Sequence, residues 1–353
     1  MFKSTSAWWK IAGVILVVYS LFMGLATKVG PGLALVTPYE TSAEHIDVTV
    51  TGYNTHFNKA STLPKVWLKV DDVRQAAIQV KVLSDNELSV QFSPIHLPAD
   101  TSFKALANLY IEDDYHGLFL GVDALKLTFK GRDSSEATSS CASKPQNLKT
   151  TFFSIPYRYL LYEGIRNLNF HVPMWFTMIA LLFASVVFSI KYLNSGKGRH
   201  DVFANAFASV ALLFGFMGIL TGTVWAKYTW GVFWTDDPKL NGAAIGILIY
   251  VAYLILRSSI EEESIRSRIS AVYNVIAFPI FITLIIILPK MAESLHPGSG
   301  GSVGFNTYDL NSNMRLIFYP AVMGWILIGC WLATLTGRVD VLHRKKLWND
   351  LND

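Results

Sequence analysis

Two histidines, His171 and His296, stand near an unusually aromatic segment and are the residues best suited to hold a cofactor. That segment, residues 225–241, reads WAKYTWGVFWTDDPKLN and contains three tryptophans, a tyrosine and a phenylalanine. Imidazole nitrogens bind haem iron axially, and the flat faces of a porphyrin need aromatic or aliphatic walls. These residue types therefore indicate a haem site, if the fold brings both histidines to the aromatic segment.

The elements that must position these residues are membrane helices. The chain has 353 residues, of which 52% are hydrophobic and only 16% charged, and its mean hydropathy is +0.35. A bilayer is crossed by about 20 apolar residues, and six windows qualify: 8–27, 171–192, 202–224, 242–256, 271–288 and 316–335. The predicted fold is mostly α, a polytopic bundle of six transmembrane helices. The window 242–256 is short, so we expect it to include flanking residues.

The distribution of lysine and arginine predicts the orientation of these helices. Positive charges concentrate at the start of the first window, between the second and third, between the fourth and fifth, and after the sixth. Cytoplasmic loops carry this excess. In the cytoplasmic membrane, both termini are therefore expected on the cytoplasmic side and the aromatic segment on the outer side. The first window is interpreted as a retained helix rather than a cleaved signal peptide. The net charge of +4 reflects this bias, so it does not indicate nucleic acid as a partner. Membrane lipid is an expected partner because of the six spans.

A β-rich domain is predicted between the first two helices. Runs within 46–130 alternate apolar and polar residues in the manner of half-buried antiparallel strands, and residues 84–87 suggest a hairpin turn. The expected organisation is a first helix at 1–30, an extracytoplasmic antiparallel β domain with a Ser-rich linker at 31–150, a membrane domain at 151–340 and a cytoplasmic tail at 341–353. The histidines of this β domain lack ligand spacing and are interpreted as surface residues: His45, His56, His96 and His116.

The windows place both candidate histidines on the outer face. His171 precedes Pro173, which is tolerated in a first helical turn, so His171 is expected at the outer end of the second helix. His296 follows the fifth helix, beside a Gly-rich run. Taken singly, a histidine at a helix end is usually a cap, and aromatic residues there usually form the interfacial belt. Their coincidence on one face is the argument for a cofactor.

Other chemistries have less support in the sequence. Cys141 and Cys330 belong to different sides of the predicted topology and cannot pair, and no Cys-x-x-Cys occurs, so thiol exchange and cysteine-bound zinc are excluded. The sequence contains no recognisable nucleophile–base pair or phosphate-binding loop. We therefore expect a binding and presentation protein rather than an enzyme.

The aromatic segment also resembles a known family signature. Residues 230–240, WGVFWTDDPKL, are similar to the tryptophan-rich WWD signature of haem-handling proteins in cytochrome c biogenesis, and the surroundings of His171 and His296 resemble the two haem histidines of that superfamily. With six helices, the resemblance is strongest to the CcmC-like family. It covers about 158–335 and the first helix, but not the β domain, which looks like an insertion. Asp236 stands where the signature usually has another tryptophan, and Asn241 begins a segment where many relatives have a glutamate.

The resemblance implies a function and a set of roles. Such proteins hold haem b at the outer face and present it to a CcmE-like haem chaperone, which the ABC-type partners CcmA and CcmB then release, in the System I maturation pathway. On that basis His171 and His296 are the axial ligands. Asp237 orders the segment, and Lys239 or Arg315 meets a haem propionate. The candidate walls of the porphyrin are Trp225, Trp230, Phe233 and Trp234.

Two alternatives remain open from the sequence. One is a CcsA-like subunit of a System II synthase, which attaches haem to cytochrome c. That mechanism expects additional histidines within the membrane, and the predicted spans have none below the outer rim. The other is a non-catalytic membrane scaffold, in which the β domain recruits a partner and the aromatic segment only anchors the protein at the interface.

Overall fold

The computed structural model describes residues 7–97, 102–130, 153–155, 157, 161–292, 294–296, 310 and 312–350. The chain forms two compact units, one helical and one built of strands. The helical unit combines Met1–Ala26 with Arg166–Asp353, and the β unit is Thr27–Ile165. The β unit thus begins before and ends after the boundaries of 31–150 expected from the sequence.

Within the residues that the structure describes, the helical unit contains six helical spans, as predicted, that are long and apolar enough to cross a membrane. The helices are α1 (Trp8–Ala26), α2 (Leu168–Ser195), α3 (Gly198–Trp230), α4 (Pro238–Ser259), α5 (Glu263–Ile282), α6 (Leu288–Met291) and α7 (Ser312–Asp350). A π-helical segment, Thr283–Ile287, joins α5 to α6, so these two helices belong to one span. The chain therefore has the architecture of a multi-pass membrane protein.

Hydrogen bonds and ion pairs identify the two ends of the helical unit. At one end, the start of α2 meets the end of α3, since the amide of Asn167 donates to the Thr221 carbonyl at 2.9 Å. This end, which also carries His171 and His296, is called the histidine end. At the other, Arg257 at the end of α4 pairs with Asp201 at the start of α3. This is called the arginine end.

Glycines allow α2 and α3 to pack closely. A Cβ atom built on Gly215 would lie 2.7 Å from the sulfur of Met178, and one on Gly218 would lie 2.9 Å from the ring of Trp175. A Cβ on Gly222 would lie 2.7 Å from Cε1 of His171. Each larger side chain of α2 therefore occupies the space that a glycine of α3 leaves open.

The helices extend beyond the predicted windows, which corrects two expectations at the histidine end. A 3-10 turn at Tyr162–Asn167 leads directly into α2, so His171 lies inside the helix rather than at or just before its end. Helix α3 continues through Trp230, so Trp225 and Trp230 are helical and not part of a loop. Hydropathy marks only the lipid-exposed length of a helix, whereas backbone hydrogen bonding continues into the interface.

The fourth and sixth helices also exceed their windows. Helix α4 runs from Pro238 to Ser259, so the short window 242–256 does include flanking residues, as predicted. Helix α7 continues to Asp350, through most of the segment expected to be a tail. Cys330 in α7 is a free thiol, while Cys141 and the predicted linker at 132–150 lie outside the described residues.

The β unit is a single eight-stranded sheet with the strand order β1-β3-β6-β5-β4-β7-β8-β2. The strands are β1 (Gly32–Thr37), β2 (Glu40–Ser42), β3 (Ile46–Tyr53), β4 (Lys65–Val70), β5 (Val73–Ser84), β6 (Glu87–Phe92), β7 (Phe103–Asp113) and β8 (Gly117–Phe129). The long strand β5 pairs with β6 along one part and with β4 along another. Apolar side chains from strands across the sheet form one core.

The sequence predicted part of this sheet, and β1 and β2 precede the first predicted run. The alternation of 46–50 and 65–70 corresponds to β3 and β4, and the predicted turn at 84–87 joins β5 to β6. The expectation of a purely antiparallel sheet was wrong at one edge, because β2 pairs with β8 in parallel. Strand β2 is short, and its Glu40 forms an ion pair with Lys126 of β8 at 3.3 Å.

His116 corrects the interpretation of the histidines in the β unit as surface residues. It is 4% exposed, and its Nδ1 lies 2.8 Å from a carboxylate oxygen of Asp113, which is also buried. Its Nε2 accepts a hydrogen bond from the backbone N–H of His56 at 3.1 Å. Because both ring nitrogens are satisfied within the protein, His116 has the environment of a structural histidine.

Candidate functional site

The ring of His171 is fixed between α2 and α3. Its Nδ1 lies 3.0 Å from the carbonyl oxygen of Gly218 and 3.1 Å from the hydroxyl of Thr221. A carbonyl only accepts, so Nδ1 carries the hydrogen and donates it, which leaves the lone pair on Nε2. A backbone acceptor of this kind sets the tautomer and the orientation of histidines that bind metals.

Two indole rings contact His171 edge to face. The ring of Trp225, in the last turns of α3, lies 5.8 Å from the imidazole between centroids, and the ring of Trp175 lies 6.4 Å away. The buried Nε1 of Trp225 has no hydrogen-bond partner among the described residues. Sequence reasoning missed Trp175, although its position four residues after His171 places both side chains on one face of a helix.

Asp237 connects the start of α4 with the chain that follows α6. One carboxylate oxygen accepts the backbone N–H groups of Lys239 at 2.9 Å and Leu240 at 3.2 Å, which is the hydrogen bonding of an N-cap. The other oxygen accepts the hydroxyl of Ser294 and the backbone N–H of Leu295, both at 2.8 Å. Burial opposes the charge, but these hydrogen bonds and nearby His296 hold the pKa of Asp237 below its usual value.

His296 is oriented by the same carboxylate. Its Nδ1 lies 3.2 Å from an oxygen of Asp237, and its ring meets Trp230 edge to face at 5.2 Å between centroids. Burial lowers the pKa of His296 to about 4; the positive charge of Lys239 adds to this shift, and Asp237 opposes it. The imidazole is therefore neutral near pH 7. With Nδ1–H directed at the carboxylate, the lone pair of this tautomer lies on Nε2, the nitrogen that would bind a metal.

The structure brings the two histidines to the same end of the helical unit. Trp225, which contacts His171, and Trp230, which contacts His296, both lie in the last turns of α3, so the two histidines border the same stretch of that helix. Among the described residues, no group of three or more His, Cys, Asp and Glu side chains is arranged to hold a metal ion. A pair of imidazoles matches the two axial positions of haem iron more closely than the larger ligand sets of zinc.

The short connection between α3 and α4 exposes aromatic rings that polar contacts hold in place. The side chain of Phe233 is 59% exposed, and the Lys227 ammonium lies 5.5 Å from its ring centroid. Trp234 is 40% exposed, and its Nε1 donates to the amide oxygen of Asn241 at 3.1 Å. The Asn241 amide in turn donates to Asp236 at 2.8 Å. Asp236 and Asn241, the two departures from the family signature, thus position Trp234 together.

The structure does not bring every predicted residue to the histidines. The described contacts of Arg315, near the start of α7, link its Nε to the carbonyl oxygen of Leu310 at 3.0 Å. The described ring contact of Phe233 is with the ammonium of Lys227. Sequence reasoning also missed Ser294, whose hydroxyl contacts Asp237; only its closeness to His296 in the chain would have indicated it.

These features define a class: multi-pass membrane proteins with a pair of oriented histidines among aromatic rings at one end of the bundle. A family model described as "CcmC: Heme exporter protein C" matches residues 135–351, which is more than half of the chain. The chain belongs to the CcmC family, and the resemblance predicted from the sequence is confirmed. The match includes both histidines and the whole connection between α3 and α4.

Individual relatives are consistent with that assignment. Heme exporter protein C of Bradyrhizobium diazoefficiens is 27% identical over 186 residues, covering 51% of this chain and 68% of the relative. Heme exporter protein C of Escherichia coli K12 is 20% identical over 202 residues, covering 55% of this chain and 78% of the relative. Cytochrome c biogenesis protein CcsA of Pelargonium hortorum is 37% identical, but only over 92 residues, 26% of this chain and 29% of that protein.

Proposed function

We propose that this protein binds haem b at the histidine end and delivers it for cytochrome c maturation. The observation that carries the proposal is the arrangement of His171 and His296. Each imidazole directs Nδ1 to an oxygen acceptor, Gly218 for one and Asp237 for the other, and such an acceptor fixes the tautomer and orientation of histidines that bind metals. Family membership agrees with haem as the ligand.

The residues of the site suit each part of a haem group. When bound, haem supplies an iron that takes axial nitrogen ligands, for which we propose His171 and His296. The indoles of Trp225 and Trp230, each in contact with one of these histidines, are the proposed inner walls. The exposed rings of Phe233 and Trp234 are the proposed outer walls.

The proposed partner of a haem propionate is Lys239. Its backbone N–H donates to the Asp237 oxygen that also lies 3.2 Å from Nδ1 of His296, so Lys239 adjoins this part of the site. A propionate would supply a second negative group in this partly desolvated place, where charge pairing is stronger than in water. Arg315 is the proposed second cation, once its side chain moves from the Leu310 carbonyl.

Delivery requires that a partner protein reach the bound haem. We propose a CcmE-like chaperone as the recipient and CcmA- and CcmB-like ABC components as the release machinery, on the basis of family membership. The exposed aromatic rings between α3 and α4 suit such an encounter, because a recipient can approach without displacing helices. In this proposal the histidine end and the β unit are extracytoplasmic, and both termini are cytoplasmic.

The optical spectrum of the purified chain tests haem binding. We expect wild-type protein from haem-replete cells to show haem absorbance. His171→Ala and His296→Ala should each retain at least about tenfold less haem, because loss of a group that merely orients a metal ligand already weakens binding by about that factor. His200→Ala is the matched control, because His200 is at the arginine end of α3. A colourless wild-type protein would overturn the proposal and favour a scaffold.

The recipient of the haem distinguishes the two biogenesis systems. If the haem passes to a CcmE-like chaperone, that chaperone should co-purify with the wild-type chain and acquire covalent haem in its presence. The local similarity to CcsA is the reason to test the alternative of direct attachment to a cytochrome c. Covalent haem on an apocytochrome, formed with no chaperone present, would support that alternative.

A further inference from the structure

A pocket at the arginine end contains groups that the haem proposal does not use. Its volume is about 360 Å³, and its lining combines three arginines with polar residues and one leucine: Arg257, Arg266, Arg344, Asn205, Ser209, Ser258 and Leu254. These residues come from α3, α4, α5 and α7, so the pocket is an open depression where four helices meet. The lining includes no acidic side chain.

Two of the arginines are already held in position by carboxylates behind the lining. Arg257 is buried, and its two terminal nitrogens reach the two oxygens of Asp201 at 2.6 and 2.8 Å. Arg344 forms an ion pair with Glu263. A guanidinium has five N–H donors, so each of these arginines keeps donors beyond those that its carboxylate uses.

The remaining groups of the lining have unused hydrogen-bonding capacity. Arg266 is half-buried and forms no ion pair with any residue that the structure describes. Asn205 and Ser209, four residues apart, lie on one face of α3, and both are half-buried in a stretch that is otherwise buried. Cationic and polar side chains grouped at a membrane interface favour an anionic partner that accepts their hydrogen bonds.

We propose that this pocket binds the phosphate group of an anionic phospholipid. A phosphate diester offers a negative charge and oxygen acceptors only, which complements a lining of guanidinium, amide and hydroxyl donors. Basic pockets between helices at the cytoplasmic interface suit lipid headgroups. The same group on a soluble molecule would satisfy the same donors, so the experiment must separate these two sources.

The test uses the full chain, delipidated in detergent, with Tm and native mass spectrometry as readouts. Phosphatidylglycerol, phosphatidylcholine and inorganic phosphate are added separately at equal concentrations. We expect phosphatidylglycerol to raise Tm and remain bound in the mass spectrum, while the other two produce little shift. Inorganic phosphate that reproduces the full shift would overturn the lipid source and assign the pocket to a soluble phosphate.

Variants locate the effect in the pocket. Arg266→Gln should weaken phosphatidylglycerol binding by about tenfold, the usual value of a charge-assisted hydrogen bond. Arg268→Gln is the matched control, because Arg268 is an exposed arginine on the same helix outside the lining. Asn205→Ala should also weaken phosphatidylglycerol binding, and this substitution does not change the charge of the pocket. Equal lipid affinity in Arg266→Gln, Arg268→Gln and Asn205→Ala, each with wild-type haem absorbance as evidence of folding, would overturn the proposal.

Discussion

The Asp237 carboxylate stabilises two segments that are distant in the chain. It caps α4 through Lys239 and Leu240, and it holds the segment of Ser294 and His296 against that cap. An N-cap requires an oxygen acceptor at this position, and a metal-binding histidine benefits from a carboxylate at its other nitrogen. Helix capping and ligand orientation therefore depend on the same side chain.

Replacement of Asp237 by alanine should affect both functions. We expect Asp237→Ala to lower the free energy of unfolding by about 1–2 kcal/mol, the cost of a lost N-cap, and to reduce haem retention because His296 loses its orientation. Glu261→Ala is the control, since Glu261 is an exposed carboxylate in the connection between α4 and α5, at the arginine end. Chemical denaturation and haem absorbance measure the two effects. Wild-type haem retention in Asp237→Ala would show that this carboxylate does not orient His296.

The residue types of this site were predictable, but their hydrogen-bond partners were not. Histidine and tryptophan are informative by their chemistry, so His171, His296 and the aromatic rings stood out in the sequence. The acceptor of His171 is a backbone carbonyl of Gly218, which no side-chain pattern reveals. Its position follows from the register of α2 against α3, and that register depends on packing.

At the scale of helices, the site depends on how closely α2 and α3 approach. The imidazole of His171 lies against Gly222, and Trp175 lies against Gly218. A side chain at either glycine would compete for the same space. The sequence analysis placed the end of α2 at His171, because hydropathy does not detect the short helical stretch that precedes it.

A methyl group on α3 tests this packing. Gly222→Ala places Cβ 2.7 Å from Cε1 of His171, so we expect a displaced imidazole, weaker haem binding and a loss of about 1–3 kcal/mol in unfolding free energy. Gly198→Ala is the matched control at the opposite end of the same helix, where a Cβ meets nothing within 4 Å. Haem titration and thermal unfolding compare them. Indistinguishable haem affinities would contradict the packing argument.

The whole molecule combines a helical unit with a β unit, and strands β3 and β4 of that unit correspond to runs predicted from the sequence. Alternating burial made β3 and β4 readable from sequence, since every second side chain enters one core. The parallel pairing of β2 was not readable, because a three-residue edge strand carries too little pattern. The orientation of the helices in the membrane was predicted from the distribution of lysine and arginine between the two ends of the spans.

Labelling of single cysteines tests that topology. Tyr228, at the histidine end, is 83% exposed, and Ser264, near the start of α5 at the arginine end, is also exposed. In a background with Cys141→Ser and Cys330→Ser, a membrane-impermeant maleimide should label Tyr228→Cys in intact spheroplasts and Ser264→Cys only after lysis. Labelling of Ser264→Cys in intact spheroplasts would reverse the orientation.

Electron paramagnetic resonance of the ferric, haem-loaded protein tests the central claim, that His171 and His296 bind the same iron. Two imidazole ligands produce a low-spin ferric centre, so we predict a low-spin signal in the wild type. His171→Gly and His296→Gly, reconstituted with haem, should each shift the signal towards high spin, and added imidazole should restore the low-spin form. A low-spin signal that persists unchanged in either variant without added imidazole would contradict the account.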